Sequence, residues 1–120
     1  MAGGTMAHAH LIAEVTAALR TRIDTGRCRV FTSELKIRIL ATGLATYPDV
    51  SVICSDVTRD PENDNAATNP TLLVEVLSES TEEYDRGEKL DHYRTIPSLE
   101  AVLLVSHRSP RVTLWSKVAG

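Results

Sequence analysis

Between about Ala7 and Arg22 the apolar residues Leu11, Ile12, Val15, Ala18 and Leu19 recur every three or four positions. That period predicts an amphipathic helix, ended near the Asp-Thr-Gly of 24–26. Beyond it the period shortens. Cys28 to Phe31 reads as a short strand, and Leu35, Ile37 and Ile39 alternate with Lys36 and Arg38 as in a half-buried strand with a basic, wet outer face. Gly43 marks a turn. Tyr47-Pro48-Asp49 leads into a strand over Val50–Cys54, where proline at the mouth is tolerated because its missing donor lies outside the ladder. Residues 55–70 are rich in acids and turn formers and are expected to be a solvated connector. They lack the glycine and terminal glutamate of a calcium loop.

Leu72 to Leu77 is a compact apolar run that predicts a buried strand, with Glu75 inside it. A carboxylate there is costly unless a cation or a donor satisfies it. A polar segment follows, with Asp85, Lys89 and Tyr93 at four-residue intervals along one stripe of a helix. Ser80 with Glu83, and Asp85 with Glu88, each match a capping box, and Gly87 weakens the first turn. Ile96-Pro97-Ser98 ends this helix. Ala101–Val105 and Arg111–Lys117 form a closing hairpin around a turn at Ser106–Pro110. The order of helix, strands, helix and hairpin predicts an α/β fold, a small mixed sheet flanked by helices.

A chain of 120 residues, 42% apolar and 24% charged, suits one soluble globular domain over 1–120. With only 4% aromatics its core must be aliphatic. A formal charge of −3 shows no basic nucleic-acid tract, although a carboxylate site that loads a divalent cation alters its own field. Cys28 and Cys54 match no metal or redox spacing and are expected to be free thiols in a reducing cytoplasm. No apolar run is long enough to span a membrane, and the first residues lack the pattern of a signal peptide. The expected location is the cytoplasm.

The candidate chemistry lies where strands begin and end. If the strands carrying Asp49 and Glu75 are neighbours, the two carboxylates can share a hard cation, Mg2+ or Mn2+, and a nearby lysine can act on water or on developing charge. The structural alternative is a capping aspartate, an edge glutamate and an exposed lysine. His8 and His10, two apart, do not share a helical face and make no metal pair, which leaves one of them open as a solvated cap residue or a lone contributor to a site.

Tyr-Pro-Asp-Val-Ser-Val at 47–52, Pro-Thr-Leu-Leu-Val-Glu-Val-Leu-Ser at 70–78, Thr81, Tyr84-Asp85, Lys89, Tyr93 and Pro-Ser-Leu at 97–99 resemble the Uma-type family of restriction endonucleases, in the PD-(D/E)XK nuclease superfamily. A first helix opened by His8, with Leu11 and Val15, is similar too. The resemblance implies a restriction-endonuclease-like fold and metal-dependent hydrolysis of DNA phosphodiesters. Asp49 and Glu75 would bind the metal with the main-chain carbonyl of Val76. Leu77 stands where the superfamily's strand lysine would be, and Lys89 on the following helix takes that role. Glu34, Asp85 and Tyr93 are secondary candidates and Glu14 a weaker one. The resemblance also implies that this chain lacks an N-terminal edge segment, and an unpaired edge invites a homodimer. The rivals are an inactive member serving as a nucleic-acid-binding or protein-interaction module, and a metal-dependent enzyme acting on another phosphate ester.

Overall fold

The computed structural model describes residues 5–79, 81–106 and 111–117. Helix α1 (Met6–Arg22) starts at Thr5, whose hydroxyl accepts the His8 N–H at 3.1 Å and so satisfies one of the orphan donors of the first turn. It ends at Ile23, and Asp24 Oδ1 then accepts the Gly26 N–H at 2.9 Å to turn the chain. The strands follow as β1 (Arg29–Phe31), β2 (Lys36–Arg38), β3 (Ala45–Thr46), β4 (Val50–Ile53), β5 (Arg59–Asp60), β6 (Asn63–Ala67) and β7 (Leu72–Val76). Two short helices, α2 (Glu82–Arg86) and α3 (Glu88–Tyr93), precede β8 (Ala101–Val105) and β9 (Val112–Ser116).

These strands make two sheets, one in the order β1-β4-β7-β8-β9 and the other β3-β2-β6-β5. In the first, β7 and β8 are parallel and the remaining neighbours antiparallel. A parallel pair needs a crossover, and α2 with α3 supplies it. Alternation along the strands sorts the core into two layers. Val50, Val74, Val76 and Val105 meet Leu11, Ile12, Val15 and Leu19 of α1. The opposite face of the sheet buries Ile53, Leu73, Leu77 and Leu104 with Leu90 and Tyr93 of α3 and with Ile37, Ile39 and Ala67 of the second sheet. Each such aliphatic side chain, fully buried, stabilises the fold by roughly 1.5–3 kcal/mol.

Three expectations need correction. The segment 55–70 is not a plain connector: β5 and β6 pair antiparallel, and β6 runs parallel to β2. Its pattern hides this because, apart from Pro70, only the small side chains of Ala66 and Ala67 are buried apolar positions in it. The helix after β7 is two helices, broken at Gly87, where an added Cβ would stand 3.2 Å from the Glu83 carbonyl oxygen. The first cap is Thr81, not Ser80, which lies outside the described residues, and Asp85 sits inside α2 rather than at a cap. Finally, Cys28 and Cys54 are not free thiols but a disulfide. The β1–β4 register sets Arg29 opposite Ile53, so the next pair outward is Cys28 and Cys54, with Cα atoms 3.9 Å apart. The expected turn at Ser106–Pro110 falls largely on 107–110, outside the described residues.

Candidate active site

The site forms where β4 begins and β7 ends. The β4–β7 register pairs Val50 with Val74, so one step outward Asp49 stands opposite Glu75. Directly opposed residues of an antiparallel pair project to the same face. Asp49 Oδ2 accepts the Val76 N–H at 2.7 Å, so the side chain extends the ladder beyond the end of β4. The Val76 carbonyl oxygen lies 2.7 Å from His8 Nε2 of α1. A carbonyl can only accept, so Nε2 carries the proton. The same nitrogen is 3.9 Å from Asp49 Oδ2.

Glu75 is 4% exposed, and the crossover helix satisfies it. Lys89 Nζ approaches Glu75 Oε2 to 2.8 Å, and the Tyr93 hydroxyl donates to the same oxygen at 2.5 Å. Lys89 Nζ also lies 3.7 Å from Asp85 Oδ1, while Asp85 Oδ2 accepts from the Thr81 hydroxyl at 3.1 Å. Ser78 and Thr81 hydroxyls are 2.8 Å apart. The break at Gly87 therefore does not dissolve the stripe of Asp85, Lys89 and Tyr93. The three side chains still converge, aimed at the end of β7.

Burial pushes the Glu75 carboxyl up to about 7, against the opposing pull of the Lys89 charge and the Lys89 and Tyr93 hydrogen bonds; Asp49 adds to the rise. Burial likewise raises Asp85, with Lys89 and Thr81 opposing. For Lys89 burial alone would lower the ammonium, but Glu75, Asp85 and Asp49 together outweigh it and hold it above the ordinary lysine range. The Tyr93 phenol is raised by burial and then by Glu75, so it stays a donor.

Of the residues singled out from sequence, Asp49, Glu75, Val76, Asp85, Lys89 and Tyr93 come together. Glu34 is in an exposed turn before β2, and Glu14 is exposed on α1, 3.6 Å from His10. Leu77, two residues after Glu75, is fully buried and fills the core. The contacts of His8 and Thr81 are not legible in the sequence; both have a place in the family-like pattern, and His8 also stands at the entrance of the first helix.

Among the described residues no group of three or more His, Cys, Asp or Glu side chains forms a cation cage. The available donors are two carboxylates and one main-chain carbonyl. That hard, oxygen-only set fits a small divalent cation that keeps several waters. The bonds to Val76, Lys89 and Tyr93 occupy one oxygen of each carboxylate, Asp49 Oδ2 and Glu75 Oε2.

The profile of the Uma2 family, described as "Putative restriction endonuclease", matches residues 1–120. Two proteins of Synechocystis sp., each bearing the name "Uncharacterized protein", are similar. One is 41% identical over 117 residues, covering 98% of this chain and 60% of that protein. The other is 33% identical over 118 residues, covering 98% of this chain and 67% of that protein. The chain thus spans about 60% of the length of the first relative and 67% of the second. A crystal structure from Anabaena variabilis, titled as "a putative nuclease belonging to DUF820", superposes with a TM-score of 0.67 over 95% of this chain and 69% of that one. At 16% identity that likeness shows the fold.

Proposed function

The chain belongs to the Uma2 family, and on that premise we propose that it hydrolyses DNA phosphodiester bonds with the help of Mg2+ or Mn2+. The observation that carries the reading is the meeting of Lys89, from the crossover helix, with Glu75 beside Asp49 at the end of β7. In this reading the Asp49 and Glu75 carboxylates and the Val76 carbonyl hold the cation. When bound, the cation supplies Lewis-acid polarisation of the phosphoryl group and a more acidic water. Lys89, kept protonated by its three acidic neighbours, orients the attacking water and stabilises the charge that builds on the pentavalent phosphorus. Tyr93 and Asp85 hold Glu75 and Lys89 in place. His8 fixes the direction of the Val76 carbonyl.

The test is nicking of supercoiled plasmid with Mg2+ or Mn2+. Lys89→Met keeps the length of the side chain and removes its charge. It should slow cleavage by about 10²-fold or more, with the thermal melt still cooperative. Unchanged cleavage refutes the assignment. Cation binding by calorimetry that survives in Asp49→Ala favours the non-catalytic module instead, and cleavage of simple phosphate esters but not plasmid favours the other rival.

The same reading takes 1–120 as one domain acting as a homodimer. The edge strand β9, with Val112 and Leu114 exposed, supports self-association, which light scattering checks. Among the described residues no helix is long and apolar enough to cross a membrane. A cytoplasmic location requires the Cys28–Cys54 bond to form against a reducing thiol pool. Alkylation of the protein in cells, before and after reduction, decides between the two.

A further inference from the structure

We propose that the outer face of β2 and β3 guides an unpaired DNA strand to the site, with Tyr47 stacking on a nucleobase and Lys36 and Arg38 meeting phosphates. The inference rests on the nuclease reading and names how its substrate is held. The β2–β3 register pairs Ile37 with Thr46 and Arg38 with Ala45, so Lys36 stands opposite Tyr47. Ile37 is buried in the core, which turns its neighbours Lys36 and Arg38 to the other face. There Lys36 Nζ lies 5.8 Å from the centre of the Tyr47 ring, within cation–π range.

Tyr47 is 49% exposed, which leaves ring surface open to a ligand. Lys36 makes no ion pair among the described residues. Arg38 is anchored from behind by Asp60 at 3.5 Å and keeps 30% of its side chain exposed. The cation–aromatic pair joins the site through Pro48 alone. Tyr47 and Asp49 are two residues apart, so their Cα atoms are at most about 7 Å apart. A base on Tyr47 would therefore leave a neighbouring phosphate beside Asp49. Every base has a π-face, so this contact favours unpaired strands without selecting a sequence.

Fluorescence anisotropy of a labelled single-stranded oligonucleotide, titrated with the full chain in EDTA, measures this without turnover. Tyr47→Ala should weaken binding by on the order of 10-fold. Tyr47→Phe should stay within about twofold of the parent, because the ring is what stacks. Lys36→Ala should weaken binding and lower the salt dependence by about one ion. A matched duplex should bind more weakly and respond less to Tyr47→Ala. Equal losses in Tyr47→Ala and Tyr47→Phe, no loss in Tyr47→Ala, or the same ring dependence on duplex would each overturn the proposal. Should Tyr47→Ala lose its cooperative melt, Tyr47→Leu, equal in bulk but without a π-face, takes its place with the same expectation. Because binding is read without metal, ring-dependent binding by a chain that never cleaves DNA would sink the nuclease reading and leave this one standing.

Discussion

Replacing Glu75 by glutamine should make the metal-free protein more stable, and more so as pH rises. Glu75 is buried, and its carboxyl is raised from an ordinary 4.5 to about 7. A raised carboxyl favours the folded state below the unfolded value, and that stability is lost as pH climbs through the folded value. The window is therefore pH 4.5 to about 7. Across it the charged carboxylate costs roughly 3 kcal/mol of stability, with about 1 kcal/mol of that already lost at pH 5. The raised Lys89 acts only at alkaline pH, outside this window. Glutamine mimics the protonated acid and can still accept from Lys89 and Tyr93. Thermal melts in EDTA should show Glu75→Gln above the parent by on the order of 10 °C at pH 8 and by only a few degrees at pH 5. Added Mg2+ should then raise the parent and not the variant, because a ligand stabilises only the state that binds it. A variant that melts at or below the parent at pH 8 would refute the reasoning. Glu75–Lys89 would then be an ordinary stabilising ion pair.

Three other outcomes follow from single contacts. Asp49→Asn keeps an acceptor for the Val76 N–H and should fold normally while losing cation binding, whereas Asp49→Ala also strands that donor and should cost a further ~1–3 kcal/mol in denaturant titration. His8→Ala removes the donor to the Val76 carbonyl and should weaken Mn2+ binding, read by calorimetry, by about 10- to 100-fold. Reducing the Cys28–Cys54 bond, which closes a loop of 26 residues, should lower stability by about 3 kcal/mol, measured as the shift in urea midpoint with and without reductant.

The strands of the first sheet were legible because their signal is burial: Val50–Ile53, Leu72–Val76 and Ala101–Val105 read as apolar runs and are strands. The hairpin of β5 and β6 was not. In β6 Asn63 is half-buried and Asp64 and Asn65 are exposed, which leaves only two alanines to mark an inner side. The disulfide was hidden for another reason. Cys28 and Cys54 gain their meaning from the register of two strands separated by residues 32–49, and spacing along the chain carries no trace of it. Asp49, Glu75 and Lys89 could be nominated individually, since a carboxylate in an apolar strand and a lysine on a helical stripe are both local signals. That they face one another depends on β4 lying beside β7 and on the crossover folding back over that face.

That crossover explains how a lysine on a helix comes to meet a carboxylate at the end of β7. Residue 77, one step past the end of β7, lies on the same side as residue 75, so a lysine there would reach the carboxylates from the strand's own end. Here Leu77 uses that position to join the packing of Leu90, Tyr93 and Leu104. The helices joining parallel β7 and β8 must pack back on the sheet, which carries Lys89 over the same face from above. The ammonium thus returns within 2.8 Å of Glu75 without interrupting the aliphatic core beneath it. Asp85 and Tyr93, one turn to either side, keep the amine charged and the carboxylate aimed. The site's geometry then depends on how firmly α3 seats, and Leu90 and Tyr93 are the buried side chains that seat it. A cavity at Leu90 should loosen cleavage geometry before it unfolds the chain, because the polar contacts of Lys89 depend on a helix of only six residues.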